Sequence, residues 1–83
     1  MSSTMRPQQD AARAEQLKTA ILQSIVERTG RQIRDLRVEV VAEGVVLSGR
    51  CHSFYCKQLA QQAALPWTDG TRLKNEIEVA ESI

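Results

Sequence analysis

The chain has 83 residues, enough for one domain around a small core and too few to enclose a pocket, which argues against a self-contained enzyme. Eleven basic and ten acidic residues leave a formal charge of +1, so any attraction to nucleic acid or an anionic membrane must come from a local patch. The first ten residues lack the apolar run of a secretory signal, and no stretch approaches the ~20 apolar residues of a membrane span; a soluble, cytoplasmic chain with its two cysteines as free thiols is expected.

Residues 1–9 are polar, contain Pro7 and show no periodicity, so they are read as a disordered leader to a single domain over residues 10–80, with 81–83 as a tail. Asp10 is placed to cap a helix. From Ala11 to about Arg28, Ala14, Leu17, Ile21 and Ile25 recur at three- and four-residue steps, with Leu22 and Val26 widening the stripe. Gly30 ends that helix, because a residue without Cβ takes the left-handed cap conformation at little cost.

Leu36, Val38 and Val40 then alternate with Arg37, Glu39 and Val41, the period of a strand with one dry and one wet face. Gly44 permits a tight connection, so the next strand returns antiparallel, with Val45, Leu47, Gly49 and Cys51 on one face. Ser53 caps a second helix whose core stripe is Cys56, Leu59, Ala60 and Ala63. Those small side chains, with Gly49 beneath them, allow a close approach to the sheet. Pro66 is read as the end of this helix and the segment through Gly70 as a turn. Leu73, Asn75, Ile77 and Val79 alternate with charged residues in a last strand, which a right-handed crossover sets parallel to the second. The expected fold is α+β, in the order αββαβ, with two helices packed on one face of a three-stranded mixed sheet.

The run of Gly44, Val45, Val46, Leu47, Ser48, Gly49, Arg50, Cys51, His52 and Ser53, then Lys57, Ala60 and Ala64, then Leu73 through Val79 with Asn75 and Ile77, resembles the BON domain. That family is named for bacterial osmotically induced periplasmic and nodulation proteins, and the resemblance spans about residues 16–79. It implies the αββαβ fold and a binding or tethering module associated with phospholipid or envelope surfaces. It brings no catalytic residues and no cofactor. Cys51 stands where the family usually carries an aliphatic residue.

Few residues offer chemistry. Cys51, His52 and Cys56 are zinc-ligand types, but three candidates are one short of a structural site, and adjacent strand residues point to opposite faces, so no metal is expected. The thiols are read mainly as buried small hydrophobes; a reactive Cys56 at the helix start, or a Cys51–Cys56 disulfide, are the alternatives. Asn75 on a dry face should hold loop backbone near the end of the second helix.

Two surfaces are candidates for binding. Phe54, Tyr55 and Trp67 sit at the two ends of the second helix and suit a membrane interface or a protein partner. Arg31, Arg34 and Arg37 recur at a step of three with Arg28 and form a possible anion-binding ridge, although Glu27, Asp35 and Glu39 are interleaved with them. The leading expectation is a non-catalytic interaction module for a phospholipid surface or a protein partner, monomeric or weakly dimeric through its edge strands. The alternative is a small nucleic-acid-binding domain using the arginine ridge, which lacks stacking aromatics on its open sheet face.

Overall fold

A computed structural model describes residues 7–68 and 72–80. The order is α1 (Pro7–Thr29), β1 (Arg34–Val41), β2 (Gly44–Cys51), α2 (Phe54–Thr68) and β3 (Arg72–Val79). This is the expected α+β arrangement. The sheet runs β1-β2-β3, with β1 antiparallel and β3 parallel to the central β2. α1 packs over β1 and α2 over β3, with the two helices touching each other.

α1 starts at Pro7, so Asp10 lies inside the helix rather than at its cap. Proline suits a helix start because its fixed φ is already helical and its missing amide would be unpaired there. Residues 7–9, assigned to the leader, are therefore helical, while residues 1–6 and the tail at 81–83 lie outside the described residues. Ile21 and Ile25 are fully buried, with Leu17 and Leu22 packed against the core. Val26 is instead exposed, so the buried stripe is narrower than its spacing suggests. Gly30 caps the helix, its amide donating to the Val26 carbonyl at 2.7 Å.

Val38, Val45, Leu47, Cys51 and Ile77 form the sheet side of the core, which Cys56, Ala60, Ala63 and Ala64 of α2 cover. Ala64 is buried, whereas Leu59 is only half-buried. Residues with almost no side chain let α2 lie close to β2 and β3, where bulkier ones would hold it off.

β1 begins two residues before the alternating pattern, and its register slips between Arg34 and Arg37. Asp35 takes a φ of 54° at that bulge, one of the few conformations that Asp tolerates better than most residues. The bulge turns Ile33 into the core, where it is 9% exposed. It also corrects the role expected of Gly49. A Cβ there would meet Ile33 Cγ2 at 2.9 Å, the Arg34 carbonyl oxygen at 3.0 Å and Leu36 Cα at 3.2 Å. The space left at Gly49 is thus filled by the bulged start of β1 and not by α2.

Pro66 does not end α2, which continues through Trp67 to Thr68. A proline this close to a C-terminus removes one amide bond, and side chains hold the last turn in its place. The Thr68 hydroxyl donates to the Leu65 carbonyl at 2.8 Å, and the Trp67 indole N–H donates to Ser24 Oγ of α1 at 2.9 Å. Trp67 and Thr68, expected in the turn, are thus helical, and the rest of that expected turn, residues 69–70, lies outside the described residues.

Candidate functional site

The open sheet face carries cross-strand rows set by the register. Arg37 faces Ser48, which faces Glu76, and Arg50 faces Glu78. Arg50 approaches Glu78 at 3.7 Å and Lys74 approaches Glu76 at 3.2 Å, both pairs well exposed and of little energetic consequence. Signs are mixed, so this face has no preference for anions.

The arginines at a step of three border two depressions. Arg37 lies over a shallow depression of the open face with Asp35, Arg50, Glu76 and Glu78. Arg31 and Arg34 line a different groove of about 300 Å³, together with Gln32, His52 and Ser53. The bulge at Asp35 adds a residue to β1, so Arg34, opposite Arg50, and Arg37, opposite Ser48, fall on the same side of the sheet.

The groove holding Arg31 and Arg34 lies against the start of α2. Ser53 caps that helix, its Oγ accepting from the Cys56 amide at 3.1 Å. His52 Nδ1–H donates to the Ala80 carbonyl at 3.2 Å, while the Ala80 amide donates to the Cys51 carbonyl at 2.8 Å. Those bonds pin the strand-to-helix corner to the end of β3.

Phe54 and Tyr55 follow directly, 58% and 69% exposed. With core stripe positions at Cys56, Ala60 and Ala63, neither of the two residues before Cys56 faces inward. Phe54 also borders a second groove, lined by Lys57, Gln58, Gln61 and Gln62. The aromatic pair thus stands between a basic cleft and an amide-rich one. Trp67 is 44% exposed but bound to α1 at the far end of the helix, about 20 Å away at 1.5 Å per residue, so the three aromatics do not form one patch.

The metal-ligand types do not converge. Cys51 and Cys56 are 2% and 1% exposed, while His52 lies outside, held by Ala80. Burial pushes the Cys56 thiol up from its ordinary 9.0, and the Cys51 thiol beside it adds to the effect. In the closed fold, burial disfavours the Cys56 thiolate despite its place in the first turn of α2. A folded-state value above the unfolded one stabilises the fold fully below pH 9.0, and the contribution is lost as pH rises through the raised value. Under reducing conditions, denaturation of the parent chain should therefore lose more stability above pH 9.0 than that of Cys56→Ala; parallel pH profiles would contradict the assignment.

Asn75 is half-buried on β3. Its Nδ2 donates to the Lys57 carbonyl at 3.1 Å and reaches Gln61 Oε1 at 3.4 Å, and its Oδ1 accepts from the Ile77 amide at 3.1 Å. The amide therefore clasps the first half of α2 and not the loop near its end.

Sequence reasoning did not place His52 in the groove with Arg31 and Arg34, nor Ile33 in the core. The signal for His52 was its position just before the helix cap, on the strand face opposite Cys51. The bulge that sets Ile33 has no local signal beyond Asp35.

No curated protein and no solved structure matches the chain. A family model described as BON domain matches residues 9–81, which takes in every described strand and α2 and nearly all of α1. The αββαβ order, the Ser53-capped small-residue helix and that match agree, and the chain belongs to the BON domain family.

Proposed function

We propose that this BON domain is a docking module that binds without catalysing and that its partner is a phospholipid surface. The observation carrying this reading is the adjacent, exposed pair Phe54 and Tyr55 at the start of α2. Aromatic rings with an apolar body favour the boundary between water and acyl chains, and Arg31 and Arg34 in the neighbouring groove supply charge for anionic headgroups. Two side chains make too small an apolar patch for a standard protein interface, which buries about 800 Å² per partner. Among the described residues no helix is long and apolar enough to cross a membrane, so the contact would be peripheral.

Vesicle co-sedimentation tests this, comparing phosphatidylglycerol-containing with purely phosphatidylcholine vesicles. The parent should bind the anionic vesicles more tightly, and the Phe54→Ala/Tyr55→Ala double variant should lose about tenfold in affinity, on the scale of burying part of two aromatic side chains. Equal binding by parent and variant would count against this surface. Retention of a protein in place of vesicles by the same residues would move the reading to a protein partner. Nucleic acid is disfavoured because Arg37 lies among the carboxylates Asp35, Glu76 and Glu78.

A further inference from the structure

Cys51 is the last residue of β2 and Cys56 the third of α2. Both are free thiols inside the core. Ser53 ties them across the corner: the Cys51 thiol donates to the Ser53 carbonyl at 3.3 Å, and Ser53 Oγ holds the Cys56 amide at 3.1 Å. Both hydrogen bonds converge on Ser53 and both side chains belong to one core cluster, so the two cysteines share this corner of the fold. Residues 52–55, which lie between the two, are all exposed, so a small disulfide reaches the sulfurs by local opening of this corner, which releases its bonds to Ala80 at the end of β3.

We propose that Cys51 and Cys56 are a dithiol site that a small-molecule disulfide oxidises reversibly, closing an intramolecular bond that staples the end of β2 to the first turn of α2. The Cys51 thiolate attacks one sulfur of the small disulfide, forming a mixed disulfide and expelling one small thiolate. The Cys56 thiolate then attacks the Cys51 sulfur and expels the second. The protein gives up two electrons and two protons, and the small disulfide becomes two thiols. Closure joins two members of one core cluster across the Ser53 corner, so it fixes the helix start bearing Phe54 and Tyr55.

The full chain equilibrated with oxidised and reduced glutathione, starting from both the reduced and the oxidised protein, tests the site. Intact mass should show the loss of two hydrogens with no glutathione attached, and peptide mapping should link Cys51 to Cys56. The melting temperature should rise by about 5 °C, since the bond restricts a short loop of the unfolded chain. Cys56→Ser in the same mixture should retain one glutathione on Cys51. The proposal is overturned if the parent keeps two thiols at equilibrium in the oxidising mixture. Glutathione adducts or linked dimers as the end product, or a melting temperature lowered by oxidation, would overturn it too. The parent measurements decide the matter even if the serine variant does not fold.

Discussion

Gly44→Ala should lower the thermal midpoint by roughly 15 °C or more, corresponding to a cost of at least ~3 kcal/mol. Gly44 is at the start of β2, opposite Val41 of β1 and Arg72 of β3, with a φ of 152°. A Cβ there would collide with the Arg72 carbonyl oxygen and come within 2.8 and 2.9 Å of the Arg72 carbonyl carbon and nitrogen. The obstacle is backbone held in the parallel ladder, so no rotamer change relieves it. Only separation of β3 from β2 at this end does, and that sacrifices sheet pairing as well as the backbone conformation. A domain of 83 residues has about 4–12 kcal/mol in all, so the loss is a large part of the total. Circular dichroism melts measure it, and a midpoint within about 2 °C of the parent's would show that β3 does not run beside Gly44.

Asn75→Ala should cost about 2 kcal/mol, near 10 °C in melting temperature, because one side chain satisfies groups on two elements. Amides alternate in direction along a strand. That of Ala80 points to β2, where it donates to Cys51, so that of Ile77, an odd number of residues away, points to the free edge. Asn75 Oδ1 occupies that edge amide while Nδ2 holds the Lys57 carbonyl. The side chain thus joins β3 to α2 and blocks part of an edge that could otherwise pair with another strand. Truncation should speed hydrogen exchange at the Ile77 amide and loosen the first half of α2, which carries Phe54. If the variant melts with the parent and Ile77 exchange is unchanged, Asn75 has no such role.

The legible part of the fold rested on residues whose surroundings are set by near neighbours. Val38, Val45, Leu47 and Ile77 fall on the buried face that alternation assigns to them, and Ile21 and Ile25 on the face given by helical steps. Ser53 and Gly30 act as the caps that their chemistry suits. Pro66 shows the limit of such reasoning. Its local preference to end a helix is overridden by Trp67 bonding to Ser24 and by Thr68 bonding to Leu65, of which the first is 43 residues away in sequence.

The candidate site was less legible for the same reason. Phe54 and Tyr55 had to be wholly or partly exposed once Cys56 took the core position, but their neighbours depend on how the corner meets β1 and β3. The spacing of Arg31, Arg34 and Arg37 suggested one ridge, but residues three apart on a regular strand face opposite ways, and it is the bulge at Asp35 that sets Arg34 on the same side of the sheet as Arg37.

Sequence alone determined which segments are helix and strand, their order and which side of each is dry, because hydrophobic periodicity reports on one element at a time. Only the tertiary structure decided that Gly49 makes room for Ile33, that His52 lines one groove with Arg31 and Arg34, and that Cys51 and Cys56 both meet Ser53. Each of these is a distance between segments, and such distances follow from strand register and helix placement, which the whole core settles together.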